Sequence, residues 1–98
     1  MADRTERTAT DDKKLRGSKA ASLATRQLHD LTGKSAEAVV GMERTDDGWR
    51  IEIEAVELRR IPETTDILAC YAVELDEHGD LVSCRRLRRY VRGSAEED

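Results

Sequence analysis

Two cysteines and two histidines are the residues of this sequence that could bind a metal ion. Their spacing lacks the CxxC and HxxxH pairs of structural zinc sites, and His78 falls in a predicted turn while His29 falls on a predicted helix. In the strand pairing predicted for this chain, Cys70 and Cys84 share a face but lie diagonally, about 7 to 8 Å apart, near or beyond the reach of a disulfide. We therefore predict two free thiols, no metal and no cofactor.

Carboxylates in close pairs could serve general acid and base catalysis. The pairs are Asp46 with Asp47, Glu52 with Glu54, and Asp76 with Asp80. Such catalysis needs a carboxyl group in a dry cleft with a shifted pKa, whereas glutamates that alternate along the wet face of a strand stay solvated. The sequence also has no GxSxG motif, no Gly-rich phosphate loop and no HExxH motif. We predict that the protein is not an enzyme.

The segment "CRRLRRYVRG" is the most basic part of the chain. Its cations are Arg85, Arg86, Arg88, Arg89 and Arg92. Arginines with aromatic residues on a sheet could bind single-stranded nucleic acid, where stacking contributes about 1 to 3 kcal/mol per base. However, the body of the chain is acidic, its only aromatic residues are Trp49, Tyr71 and Tyr90, and alternate arginines of a strand point to opposite faces. Pairing with a protein partner, or internally with Glu52, Glu54 or Glu57, is the preferred interpretation, and nucleic-acid binding is the alternative.

Length and composition restrict the class of protein. The chain has 98 residues, of which 38% are hydrophobic and 39% charged, with a formal net charge of -4. This is enough for one small domain, and no apolar run approaches the roughly 18 residues of a membrane helix. The opening residues lack the apolar stretch of a signal peptide, so we expect a cytoplasmic protein without membrane contact. The core of such a domain is modest, which leaves a homodimer open.

Residues 17 to 33 have the pattern of an amphipathic helix. Ser18 is the candidate N-cap, and Gly33 is suited to end the helix. The apolar positions recur every three or four residues, at Ala20, Ala24, Leu28 and Leu31.

The pattern then changes to the alternation of β-strands. Apolar residues alternate with polar or small ones at Ala38, Val40 and Met42, and after a "DDG" turn they alternate again from Trp49 to Ala55. The apolar phase slips by one beyond Ala55, which indicates a β-bulge near residues 55 and 56 or a second buried face there.

Two further strands are predicted from about Ile67 to Leu75 and from Leu81 to about Val91. Pro62 ends the second strand because it lacks an N–H, and residues 63 to 66 form the turn. A three-residue loop at residues 77 to 79, with Gly79 in the left-handed conformation, predicts that Leu75 faces Leu81, Val73 faces Ser83 and Tyr71 faces Arg85.

These elements predict an α+β domain, in which one N-terminal amphipathic helix packs on a four-stranded antiparallel meander sheet. The predicted domain covers residues 17–92. Residues 1–16 read as a disordered arm and residues 93–98 as an acidic disordered tail, because neither segment has an apolar period.

Two stretches, "GWRIEIEAVELRRIPETTDILACYAVELDEHGDL" and "RRLRRYVRG", resemble the gas vesicle protein O (GvpO) family over residues 17 to 93. The shared features are a helix ending in "LTG", a "GW" that opens an acidic strand, an "E..RIP.T.D.LA.Y.V.LD..G.L" middle and an "R.RRY.R" close. The motif residues that the resemblance marks as structural are Trp49, Glu57, Arg60, Pro62, Asp66, Tyr71, Asp76, Gly79 and Tyr90.

The resemblance implies a non-enzymatic accessory protein for assembling gas vesicles, the protein shells that give buoyancy. It also implies contacts with other gas vesicle proteins, the shell subunit and accessory proteins among them, and association with the gas vesicle. The Arg-rich last strand and the outer face of the sheet are the candidate contact surfaces.

Overall fold

The structure, a computed structural model, describes residues 15–93. Helix α1 (Gly17–Thr32) precedes four strands: β1 (Ala36–Arg44), β2 (Gly48–Leu58), β3 (Ile67–Asp76) and β4 (Leu81–Val91). The strands are antiparallel and follow the chain order β1-β2-β3-β4, with a short 3-10 turn at Glu63–Thr65 between β2 and β3. The α+β meander predicted from the sequence is confirmed.

Helix α1 begins one residue before the predicted cap. Its N-cap is the extended residue Arg16 and not Ser18, and the Arg16 side chain makes no capping hydrogen bond. Gly33 ends the helix as predicted, since it adopts φ 75° and donates its N–H to the carbonyl of His29 at 2.7 Å. Leu31 shares the apolar stripe but is 55% exposed, because the buried cluster ends at Leu28.

The helix packs on one face of the sheet, called here the helix-side face. The buried residues of this core are Ala20, Ala24, Leu28, Ile51, Ile53, Ala55, Ala69, Tyr71, Val73 and Leu75. The opposite face, called the outer face, carries the alternate residues of β2 and β3, such as Glu52 and Cys70. No helix among the described residues is long and apolar enough to span a membrane.

The β2–β3 pairing is regular up to Val56 and then contains a bulge. Val56 pairs with Leu68 and Leu58 pairs with Ile67, so Glu57 is the extra residue. This bulge lies one residue beyond the predicted position, and Ala55 and Val56 are both buried, on opposite faces. Glu57 is thereby released from strict alternation and can point to the helix side.

The hairpin between β3 and β4 has the predicted loop. Gly79, with φ 90°, donates its N–H to the carbonyl of Asp76 at 3.0 Å, and the Asp76 N–H donates to the carbonyl of Asp80 at 2.9 Å. The Asp76 carboxylate accepts the backbone N–H groups of Asp80 and His78 at 3.0 and 2.8 Å. The hydrogen bond from Asp80 is the main reason that the pKa of Asp76 is lowered.

The β3–β4 register corrects two predicted pairs. Leu75 pairs with Leu81 as predicted, but Val73 pairs with Cys84 and Tyr71 with Arg86. The extra residue is Val82, which forms a bulge directly after the turn.

This shift also separates the cysteines, which were predicted to share a face. Cys70 pairs with Arg88 on the outer face, whereas Cys84 pairs with Val73 on the helix side. Both thiols are free. Since cross-strand partners share a face and successive residues alternate, a Cys70–Cys84 disulfide would have to cross the sheet.

The two segments predicted to be disordered fall largely outside the described residues, which leave out residues 1–14 and 94–98. Of the predicted arm, only Leu15 and Arg16 are described. The carbonyl of Leu15 accepts a hydrogen bond from Trp49 Nε1 at 2.9 Å, so Leu15 contacts the start of β2.

Candidate functional site

The five arginines of the basic segment are divided among three environments by a second bulge in β4. Arg88 pairs with Cys70 and Arg86 with Tyr71, so Leu87 is the extra residue. The bulge places Arg86 and Arg89 on the helix side and Arg85 and Arg88 on the outer face. Arg92 follows the end of the strand. The sequence prediction that the arginines do not form one patch agrees with this arrangement.

On the helix side, Arg86 and Arg89 surround the bulged Glu57. Arg86 Nη1 lies 3.3 Å and Arg89 Nε 3.6 Å from Glu57 Oε1, and the Tyr71 hydroxyl donates to Oε2 at 2.5 Å. The hydrogen bond from Tyr71 is the main cause of the lowered pKa of Glu57. Burial, followed by the same hydrogen bond, raises the pKa of Tyr71 to about 12. These two arginines are therefore engaged within the chain.

Arg92 is engaged at the end of the sheet where β2 leads into β3. It binds Asp66 through Nη2 at 3.0 Å and Glu37 through Nη1 at 3.0 Å. Asp66 is 1% exposed, and its Oδ1 accepts the backbone N–H of Arg60 at 2.6 Å. That hydrogen bond is the main cause of the lowered pKa of Asp66, and Arg92 contributes to it.

The outer face has no helix over it in the described part of the chain, and it carries charge in stripes. Arg85 and Arg88 project from β4, and Glu52 and Glu54 project from β2. Within the described residues, no carboxylate oxygen lies within 4.0 Å of the Arg85 or Arg88 guanidinium. These two exposed arginines are the members of the basic segment that remain available to a partner.

The stripes flank a floor of small side chains on β3. Cys70 is 0% and Ala72 3% exposed, although no secondary-structure element of the described chain covers this face. The Tyr90 hydroxyl reaches across β3 and donates to Glu54 Oε2 at 2.5 Å, and the Arg88 guanidinium lies 5.7 Å from the centre of the Tyr90 ring. Burial and the Glu54 hydrogen bond raise the pKa of Tyr90. On the outer face, Tyr90 and Glu54 are therefore held to each other across β3.

The described residues form no metal cluster, and the depression at the edge of the outer face is shallow. No three His, Cys, Asp or Glu side chains of residues 15–93 are grouped to hold a metal ion. A shallow depression of about 280 Å³, lined by Gly41, Met42, Glu43, Arg50 and Glu52, opens at the edge of the outer face. Arg50 lies 3.5 Å from Glu52 there, so the depression is lined by paired charges.

The motif residues of the sequence analysis lie in three places. The end of the sheet that carries the β2–β3 loop holds Glu57, Arg60, Pro62, Asp66 and Tyr71. The opposite end holds Trp49, Asp76 and Gly79, and the outer face holds Tyr90. The sequence reasoning did not find the Asp66–Arg92–Glu37 contacts or the Tyr90–Glu54 pair. An acidic residue just before an apolar strand was the available signal for Asp66.

Comparisons with known proteins agree on one family. The family model described as "Gas vesicle synthesis protein GvpO" matches residues 3–96. A Gas vesicle protein O of Streptomyces sp. (strain CB03234) is 53% identical over 70 residues, which cover 71% of this chain and 55% of that protein. Gas vesicle protein O1 of Halobacterium salinarum is 36% identical over 81 residues, covering 83% of this chain and 68% of that protein.

A third relative, Gas vesicle protein O of Haloferax mediterranei, is 36% identical over 63 residues, covering 63% of this chain and 45% of that protein. The chain thus spans about half the length of two of these relatives and about two thirds of the other. No solved structure matches the chain.

Proposed function

Because the chain belongs to the gas vesicle protein O family, we propose that it is a non-enzymatic accessory protein of gas vesicle assembly that binds other gas vesicle proteins, the shell subunit or accessory proteins, at the vesicle. The observation that carries the proposal is the outer face. Arg85 and Arg88 lie there on β4 without a described acidic partner, while Arg86, Arg89 and Arg92 bind Glu57, Asp66 and Glu37.

The charge pattern of the outer face favours a protein partner over a nucleic acid. Glu52, which also contacts Arg50, and Glu54, which accepts the Tyr90 hydroxyl, form an acidic stripe on β2. This stripe runs beside the basic stripe at the distance of two strands, about 10 Å. A phosphate backbone that neutralised the arginines would be repelled by these carboxylates, whereas a protein segment can present both signs of charge. The partner surface that fits has acidic side chains facing β4 and basic side chains facing β2.

The test is co-purification of the tagged chain with co-expressed gas vesicle proteins of the same organism. Arg85→Glu combined with Arg88→Glu should reduce the recovered partner at least tenfold, because charge reversal places like charges together in the contact. Lys19→Glu combined with Arg26→Glu is the matched control, since it makes the same change of net charge on exposed positions of α1. Circular dichroism should show that both variants fold.

Three results would contradict the proposal. Equal recovery by the outer-face variant and the wild type would remove this surface. Recovery of no gas vesicle protein by the wild type would remove the function itself. Recovery of RNA or DNA, with binding that weakens steeply as salt is added, would favour the nucleic-acid alternative.

A further inference from the structure

A partly exposed apolar row crosses three strands of the helix-side face, beyond the part that α1 covers. Ile67 pairs with Leu58 on one side and with Val91 on the other, so the three side chains share a face. Leu58 is 48% and Val91 38% exposed, and none of the three belongs to the buried cluster beneath the helix. The sheet therefore continues past its helix, and the apolar side chains of this row are partly exposed there.

The β2–β3 loop adds a fully exposed apolar side chain to this end of the molecule. Ile61 is 99% exposed and follows Leu58 by three residues. We call Leu58, Ile61, Ile67 and Val91 together the loop-end patch. Single exposed apolar residues are common on protein surfaces. The loop-end patch differs because it combines a row of apolar residues with a loop that is held in place.

Polar contacts, several of them to the buried Asp66 carboxylate, hold that loop. The Asp66 carboxylate accepts the N–H of Arg60, the residue before Ile61, at 2.6 Å, and it binds Arg92 at 3.0 Å. Within the loop, the Pro62 carbonyl accepts the N–H and the hydroxyl of Thr65 at 3.0 and 2.7 Å. A loop fixed in this way loses little conformational entropy when it binds. Less of the favourable free energy of its contacts is therefore offset by the cost of ordering the loop.

The charges around the loop-end patch indicate what it binds. Basic side chains outnumber acidic ones at this end of the sheet, with Lys34, Arg59, Arg60, Arg86, Arg89 and Arg92 against Glu37, Glu57, Glu63 and Asp66. In the described part of the chain, no carboxylate oxygen lies within 4.0 Å of the Arg59 or Arg60 guanidinium. The chain as a whole has a net charge of -4, so this excess of cations is local.

We propose that the loop-end patch is a second docking surface, which receives an acidic segment with apolar side chains from another gas vesicle protein. Apolar side chains of that segment cover Ile61 and the row, and its carboxylates pair with Arg59 and Arg60. This inference rests on the proposed function and adds a second contact to it. Because the patch and the outer face lie on opposite sides of the sheet, the protein can hold two partners together.

The experiment measures which co-expressed gas vesicle proteins the tagged chain retains, with each retained protein identified and quantified by mass spectrometry. Ile61→Asp should reduce the recovery of at least one of them tenfold or more, because apolar anchors at the centre of a contact dominate binding. Val82→Asp is the matched control, since Val82 is 60% exposed at the opposite end of the sheet. It should leave recovery of that protein within twofold of the wild type.

The charge arm uses Arg59→Glu combined with Arg60→Glu, and the Lys19→Glu with Arg26→Glu variant as its control. The first pair should reduce recovery of the same protein that Ile61→Asp loses, and the control should not. The substitutions alter side chains only, so the Arg60 N–H remains available to Asp66. Unchanged thermal unfolding of all four variants would show that lost binding does not come from lost folding.

The outcomes separate this inference from the proposed function. If the wild type retains gas vesicle proteins and Ile61→Asp retains all of them equally, the loop-end patch is wrong and the proposed function stands. If the wild type retains none, both are wrong. If Ile61→Asp changes only the sedimentation of the purified chain, the patch binds a second copy, and the acidic segment is overturned as its occupant.

Discussion

Gly48 opens β2 opposite Asp76 of β3, and the closeness of the two backbones there predicts a large effect of a single methyl group. A Cβ atom at Gly48 would lie 1.9 Å from the Leu75 carbonyl oxygen and 2.7 Å from the Asp76 Cα, where ordinary contact begins at 3.4 Å. Both neighbours are backbone atoms of the partner strand. Gly48→Ala therefore requires the two strands to separate, because no side chain can rotate out of the way.

The expected loss of stability is at the upper end of what overpacking costs. Extra methylene groups in packed sites cost typically about 1 to 3 kcal/mol, and a backbone obstacle favours the larger value, so we expect a loss of about 3 kcal/mol. For a domain of this size that corresponds to a decrease in melting temperature of about 12 to 24 °C. Urea unfolding followed by circular dichroism gives the free energy of unfolding. The dependence of this free energy on urea concentration shows whether the unfolded state has changed as well.

Gly41→Ala is the matched control in the neighbouring strand. A Cβ atom there would lie 3.5 Å from the nearest atom, Glu52 Cβ, which is ordinary van der Waals contact. Alanine also restricts the unfolded chain more than glycine, so this variant should be as stable as the wild type or about 0.5 kcal/mol more stable. If Gly48→Ala and Gly41→Ala unfold within about 1 kcal/mol of each other, the close approach of β2 and β3 is not what selects glycine at position 48.

Two further predictions concern pH. The pKa of Asp66 is lowered in the folded state, so its contribution to stability is present above the unfolded pKa of about 3.9 and is lost as the pH falls through the folded pKa. The stability of Asp66→Asn should therefore depend less on pH below about pH 4 than that of the wild type. Equal pH dependence of acid unfolding would contradict the role of this carboxylate. The pKa of Tyr71 is raised to about 12, so stability should fall as the pH rises above about 10, where the unfolded chain loses its tyrosine protons first. An absorbance titration should show that Tyr71 ionises at a higher pH than free tyrosine. Tyr71→Phe should make the alkaline loss of stability smaller. Titration of both tyrosines near pH 10 would refute the buried hydrogen bonds.

The order of the elements could be predicted because each follows from a local pattern. The helix needs only the spacing of Ala20, Ala24 and Leu28, and the β3–β4 turn needs only Gly79 at the position with φ 90°. Both patterns depend on residues close in sequence. Their physical causes, an apolar stripe and a backbone conformation that favours glycine, do not require the partner strand to be known.

The register of β4 could not be predicted in the same way, because a bulge changes the face of every residue that follows it. Val82 and Leu87 are the extra residues, and neither has the glycine or proline that would mark an irregular position. The bulge at Val82 moves Cys84 to the helix side and so separates it from Cys70. The candidate contact residues were identified by type, but their division between the two faces depends on these bulges.

Burial of Cys70 and Ala72 on the outer face also depends on tertiary structure. Alternation alone predicts that residues facing away from the helix are exposed, yet both are nearly inaccessible. They lie on a central strand between longer side chains, and Tyr90 reaches over this strand to Glu54. Small residues in the middle of a sheet are covered by the long residues of neighbouring strands, which a single strand's pattern does not show.

The bulges also bear on how this protein makes contacts. Both edge strands are interrupted, β1 at Glu37 and Val40 and β4 at Val82 and Leu87, and bulged edges are poor templates for adding another strand. Side chains of the two faces are then the better means of binding. The Leu87 bulge places Arg86 and Arg89 on the same face, where Glu57 contacts both, and leaves Arg85 and Arg88 exposed on the other face. Deleting Leu87 would leave Arg86 and Arg88 adjacent and still opposite Tyr71 and Cys70, so every arginine should keep its face. Partner binding should therefore be retained where the sheet still forms, and its loss in a folded deletion variant would contradict this account of the two faces.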